Sequence, residues 1–316
     1  MTRDISLACR DWHKRIMTGI SLLPDFPNDD ISIEAAERAV EVWGGLKIPF
    51  MVGDATFGAI GTPWFSDFLH TMFLMDGSRR VIREAFVMTP KKSGVATNCA
   101  ALLLTALILN RRPAAKFAII SVTMEIAKIV LESMVAMIAA DAELSQKFIV
   151  RKHTLEIEHR QTGAKVCVKA LNVDALTGAR LSGAVVYNMQ FMQTDRFDAS
   201  MRHLRGALSG EQDSFLIMTA TQSLDPPSGV FLKELTRARA TRDGEIDGGV
   251  LPLIYEPPAG VDWRDPANFP RLHPGVGYTV AAEHMEQEMA YAERLGDLPY
   301  FAAKWLNVEQ RRKDLQ

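Results

Sequence analysis

Four short runs of almost purely apolar residues constrain the fold most. They are residues 116–122 (KFAIISV), 183–186 (GAVV), 215–219 (FLIMT) and 250–255 (VLPLIY). None alternates polar with apolar residues, as a strand with one wet face would. Continuous apolar strands belong in a sheet covered on both faces. Helical stretches separate them. Residues 124–140 place Ile126, Val130, Met134 and Met137 on one face of a helix. Residues 198–208 and 229–239 read as two more helices. A further strand is expected over 81–88, and three β-like runs within 148–170, with a turn at Gln161-Thr162-Gly163-Ala164. Buried strands alternating with helices predict an α/β fold: a mainly parallel sheet flanked by helices.

Both ends of the chain read as helical attachments to this sheet. Residues 33–42 form one helical pattern. Residues 63–74 (PWFSDFLHTMFL) form another, opening on a proline and carrying a stripe of Phe65, Phe68, Leu69 and Phe73. Pro258, Pro266, Pro270 and Pro274 mark an irregular connector, and helices are expected at 281–295 and 299–306. The expected organisation is a helical segment over 1–80, an α/β core over 81–260, and a connector with helices over 261–316.

Composition narrows the function classes. The 316 residues carry a formal net charge of −2, so nothing draws the whole chain to nucleic acid. Cys9, Cys99 and Cys167 are odd in number and widely spaced, which argues against a disulfide framework or a zinc site and for a reducing compartment. Arg3, Asp4 and Arg10 interrupt any signal-peptide pattern. The longest apolar run, residues 100–109, is far short of the roughly 20 residues that span a bilayer. A cytoplasmic protein without a membrane partner is expected. The histidines show no metal-ligand spacing, and no serine lies in a Gly-x-Ser-x-Gly setting.

Between the strand at 81–88 and a buried helix expected over 98–109 lies TPKKSGVATN, residues 89–98. A phosphate-cradling loop belongs at such a junction. It needs inward backbone N–H groups at a helix start, a Lys for the β and γ phosphates, and a Ser or Thr hydroxyl for magnesium. Lys91, Lys92, Ser93 and Gly94 supply the front half. Val95 then stands where the Lys belongs and Ala96 where the hydroxyl belongs, while Thr97 offers a hydroxyl one residue late. Lys91 or Lys92 is a candidate to replace the missing Lys. The plain alternative is a basic turn capping a buried helix.

The order of motifs from residue 81 to 306 resembles the ATPase domain of phage terminase large subunits, the motors that package DNA. The resemblance rests on Pro90-Lys91-Lys92, the helix start at Asn98, Met218-Thr219-Ala220-Thr221-Gln222-Ser223, Pro226-Pro227-Ser228-Gly229-Val230-Phe231 and Tyr255-Glu256. It continues through Trp263, Asp265-Pro266-Ala267-Asn268 and Trp305-Leu306-Asn307. It implies a P-loop NTPase-type core, with ATP and Mg2+ as cofactors. It implies double-stranded DNA, a small terminase subunit and the capsid portal as partners, and a homo-oligomeric ring. Thr219, Ala220 and Thr221 match the family's coupling motif. Family members continue into a metal-binding nuclease domain; with the sequence ending at Gln316, none is expected here.

The same resemblance implies an acidic pair after the strand at 183–186, one residue for magnesium and one to activate water. The positions hold Tyr187 and Asn188. Asn188 accepts no proton from water, and Tyr187 is a poor magnesium ligand. Phosphoryl transfer depends on positioning and electrostatics, and loss of general-base catalysis alone costs on the order of 10²–10⁴ in rate. Val95, Ala96, Tyr187 and Asn188 together imply a motor with severely impaired hydrolysis. Two other readings stay open: a non-catalytic assembly or DNA-docking module on the same fold, and another P-loop NTPase with a displaced Lys. Strand order separates the last, because the motor class has an additional strand between the loop-bearing strand and the acidic-motif strand. Arg202 and Arg205 share one helix face, as a catalytic arginine, a DNA-phosphate contact or, preferred, a solvated surface. Arg237, Arg239 and Arg242, interspersed with Glu234 and Asp243, read as an ordinary mixed surface.

Overall fold

Eight strands form the central sheet of the computed structural model, which describes residues 5–26, 31–49, 51, 53 and 55–310. Arg3, Asp4 and Gln316, used above, lie outside the described residues. The strands are β1 (Glu84–Met88), β2 (Lys116–Ser121), β3 (Phe148–Arg151), β4 (Glu156–His159), β5 (Lys165–Ala170), β6 (Gly183–Val186), β7 (Phe215–Ala220) and β8 (Leu251–Ile254). Their spatial order is β8-β1-β7-β6-β2-β5-β4-β3. From β8 to β5 every neighbouring pair is parallel. The last two pairs, β5 with β4 and β4 with β3, are antiparallel. The mainly parallel sheet is therefore as expected, and the three β-like runs form its antiparallel flank. His159 and Gly163 close the expected turn with a backbone hydrogen bond of 2.9 Å.

The strands divide their side chains between two cores. Ala85 and Val87 of β1, with Phe117 and Ile119 of β2, face one apolar cluster. Phe86, Met88, Ala118 and Ile120 face the other. Every one of these residues is buried, which is why the sequence runs are apolar without alternation. The first cluster is filled by α1 (Glu34–Gly45), α2 (Pro63–Met72), α3 (Val95–Leu109) and α4 (Met124–Ala139). It also takes Met285 of α7 (Ala282–Leu295) and Phe301, Trp305 and Leu306 of α8 (Leu298–Leu306). Residues from both ends of the chain thus share one core with the sheet. The second face is covered by α5 (Asp198–Leu208) and α6 (Gly229–Arg242).

The edge strand β8 pairs only with β1 and contains Pro252. Tyr255 donates its N–H inward to Met88. Alternation along a strand then turns position 252 outward, where a missing donor is tolerated.

Two arginine expectations change. Arg205 is ion-paired with Glu84 at 3.0 Å and Glu234 at 2.8 Å. Arg237 joins the same two carboxylates at 2.9 and 3.2 Å. Arg242 pairs with Glu256 at 2.7 Å and lies 3.8 Å from the Trp12 ring centroid, and Arg239 also meets Glu256. Glu234, Arg242 and Glu256 are buried. The supposed mixed surface of α6 is a network of arginines over carboxylates that the strand β1, the segment after β8 and, through Glu234, α6 itself supply.

Candidate functional site

The turn from β1 into α3 is built from two left-handed residues, Lys92 (φ 70°) and Gly94 (φ 76°). A side chain at position 94 would also meet Asn98 Nδ2 and Thr279 Cγ2, each at 3.3 Å. Gly94 is the residue before the helix, and neither a capping side chain nor an acidic residue covers the first turn. The N–H groups of that turn lack intrahelical partners and sit at the positive end of the helix dipole. The helix begins at Val95, three residues before the expected 98, directly after the left-handed Gly94. Ser93 spends its hydroxyl inside the turn, donating to the Pro90 carbonyl at 2.8 Å. Asn98 donates to Thr62 Oγ1 at 3.2 Å and ties the helix start to the N-terminal attachment.

Strand β7 lies between β1 and β6. This is the additional strand expected between the loop-bearing strand and the strand that leads to Tyr187 and Asn188. The end of β7 brings Thr219, Ala220 and Thr221 between the loop and the end of β6. Thr221 Oγ1 donates to the Thr89 carbonyl at 2.9 Å. Asn188 sits in left-handed backbone (φ 62°) and donates its N–H to Thr219 Oγ1 at 3.4 Å. Gln190 accepts the Thr221 N–H at 3.1 Å on its side-chain oxygen. The three strand ends are thereby cross-linked at one edge of the sheet.

A cavity of about 540 Å³ opens there. It is lined by the loop residues Lys91, Lys92, Ser93, Gly94, Val95, Ala96 and Thr97, by Tyr187 and Asn188, and by Thr219, Ala220 and Thr221. The structure therefore gathers these sequence candidates, spread over 130 residues, around one space. Arg202 and Arg205 are not in that lining. Arg202 is exposed on α5 beside a separate shallow pocket, and Arg205 is held in the network described above. Asp195 and Asp198 pair with Lys233.

Three lining residues escaped the sequence reading: Gln190, Phe191 and Lys304. The first two follow the replaced acidic pair after Met189, which was the available signal. Lys304 comes from α8, directly before the Trp305-Leu306-Asn307 motif, which by itself gave it no role. Its backbone carbonyl accepts the Lys91 N–H at 2.8 Å. His273 accepts the Gly275 N–H on Nδ1, which leaves Nε2 to donate to the Lys91 carbonyl at 2.9 Å. Thr279 donates to the Lys92 carbonyl. The Lys91 ammonium lies 4.2 Å from the Trp305 ring centroid and 4.9 Å from that of Tyr300. The C-terminal segment thus grips the front of the loop by backbone and side chain.

The electrostatics favour an anion. Lys91, Lys92 and Lys304 line the cavity, and no Asp or Glu does among the described residues. Burial pushes the Tyr187 phenol up to about 12, so it stays neutral near pH 7. Magnesium is held through carboxylates and substrate phosphates, so these donors do not fit a magnesium ion held by the protein. Among the described residues no three His, Cys, Asp or Glu side chains are grouped to hold a metal.

A glycine-led loop enters a buried helix, and one strand separates its strand from that of the neighbouring motif, within a mainly parallel sheet flanked by helices. This is the fold of phage large terminase ATPase domains. The large terminase of bacteriophage HK97 matches over 87% of this chain and 55% of that chain, with a TM-score of 0.73 and 16% identity. The chain thus spans about half the length of that protein. The large terminase of a thermophilic bacteriophage matches over 62% of this chain and 47% of that chain (TM-score 0.43, 12% identity). The ATPase domain of the Thermus phage P74-26 large terminase matches over 71% and 88% (TM-score 0.42, 15% identity). No family model and no curated protein matches the sequence. No helix among the described residues is long and apolar enough to cross a membrane.

Proposed function

We propose that this chain is a terminase-type motor domain that binds the phosphates of a nucleotide but hydrolyses it poorly or not at all. One observation carries the reading. Val95 and Ala96 at the helix start and Tyr187 and Asn188 at the strand end line the same cavity, whose described lining holds no carboxylate. Backbone N–H groups and lysines remain to receive a polyphosphate. Nothing in that lining takes the proton of an attacking water or holds magnesium as a carboxylate does. ATP is the nucleotide that the fold favours, and Mg2+ would enter only as a companion of its phosphates. Double-stranded DNA, a small terminase subunit, the capsid portal and a ring of like subunits are the partners such a module would serve.

The test is magnesium-dependent ATP hydrolysis by this chain and by a variant carrying Val95→Lys, Ala96→Thr, Tyr187→Asp and Asn188→Glu. Turnover by the variant alone supports the reading. Robust turnover by the native chain overturns it. A second reading, an assembly or DNA-docking module without turnover, is favoured by the same lack of carboxylates. Salt-sensitive binding to duplex DNA without ATP would support it.

A further inference from the structure

We infer, on the footing of the nucleotide reading just given, that Lys304 of the C-terminal helix α8 is the cation that grips the ligand's phosphates in place of the lysine the loop lacks. The first ground is placement. Asn307 follows α8 in left-handed backbone (φ 55°) and is buried. Its side chain accepts the Gln222 N–H at 2.9 Å and donates to the Tyr255 carbonyl at 2.7 Å. One residue thereby bolts the helix end to the segments leaving β7 and β8. Lys304, less than one turn earlier, lines the cavity.

The second ground is that one of the loop's two lysines is engaged elsewhere. Lys91 rests against Trp305 and Tyr300. Such a cation–π contact competes with any move toward a phosphate. Lys304 instead has a hydrogen bond from Nζ to the Gln222 backbone carbonyl at 2.8 Å, and among the described residues no salt bridge joins it to a carboxylate. Two of its three donor positions stay open. Burial and the neighbouring Lys91 both disfavour its charge, as expected of an ammonium waiting for an anion.

The experiment is isothermal titration of the native chain and of Lys304→Met, Lys304→Arg and Lys92→Met, with ATP, tripolyphosphate and adenosine as titrants. Lys304→Met is expected to weaken ATP and tripolyphosphate by about 10- to 100-fold, as loss of a charge-assisted contact does, and to leave adenosine unchanged. Lys304→Arg is expected to stay within a few-fold of native, since it keeps the charge. Unchanged ATP affinity in Lys304→Met, or transfer of the whole loss to Lys92→Met, overturns the assignment and leaves the nucleotide reading standing. Native chain that binds neither ATP nor tripolyphosphate overturns that reading, and this one with it. Lysine acetylation of the native chain read by mass spectrometry guards against a misfolded variant. ATP is expected to protect Lys304, and protection of Lys92 alone counts against the assignment.

Discussion

Asn307 accepts the Gln222 N–H at 2.9 Å and donates to the Tyr255 carbonyl at 2.7 Å, so a single buried amide joins the C-terminal helix to two strand ends. Asn307→Ala removes both bonds and leaves a buried N–H and C=O unpaired. Each such loss costs about 1–3 kcal/mol. The variant is expected to be less stable by about 2–6 kcal/mol in urea unfolding. Asn307→Gly relieves the left-handed backbone without restoring the bonds, so it is expected to recover only a small part.

Two glycines with similar backbone make a contrast. A Cβ at Gly229 (φ +55°) would lie 2.2 Å from the Thr194 nitrogen, while one at Gly296 (φ +70°) meets nothing within 4 Å. Gly296→Ala is expected to cost about 1 kcal/mol, the left-handed penalty alone. Gly229→Ala is expected to cost about 3 kcal/mol or more, because backbone has to move. Denaturation midpoints of the two variants should separate accordingly; equal midpoints would refute the close approach.

Glu256 stands between Arg239 and Arg242, and it and Arg242 are buried. Glu256→Gln keeps the shape and removes the charge. Breaking a buried pair is strongly destabilising because the partner charge stays behind. The arginines keep Glu309 and Asp243, so the expected loss is on the order of 3 kcal/mol rather than more. It should be measurable at pH 7 by chemical denaturation.

His273 sets a pH dependence. Its ring is fully buried, and burial lowers its pKa from 6.5 to about 4 despite the hydrogen bond to the Lys91 carbonyl. The unfolded chain therefore takes up the proton first. Stability from this residue is complete above pH 6.5, falls as the pH drops toward 4, and is flat below. Between pH 7 and pH 5 the native chain is expected to lose about 2 kcal/mol more than His273→Gln does. Parallel stability curves for the two chains would show that His273 is not the cause.

How much of this could be read in the sequence depended on the range of the interactions. The apolar runs of β2, β6 and β7 were legible because burial on both faces removes polar residues outright. The loop at residues 89–98 was legible because a bend needing Gly94 is local. The cavity's other walls, Tyr187 and Thr219 to Thr221, followed from motif order. The network on α6 was not legible: Glu84 lies 153 positions before Arg237, and alternating charges look the same whether wet or buried. Lys304 was hidden for the same reason. Nothing in the sequence around α8 says where the helix docks, and its docking depends on Asn307 finding Gln222, 85 positions away.

Pro252 on the edge strand β8 has a consequence for how copies of this chain meet. A neighbouring chain that tried to continue the sheet past β8 would find no donor at the centre of a four-residue strand. Strand addition is therefore disfavoured on this side. A contact at this edge would rest on side chains and loops more readily than on an extended β-ladder.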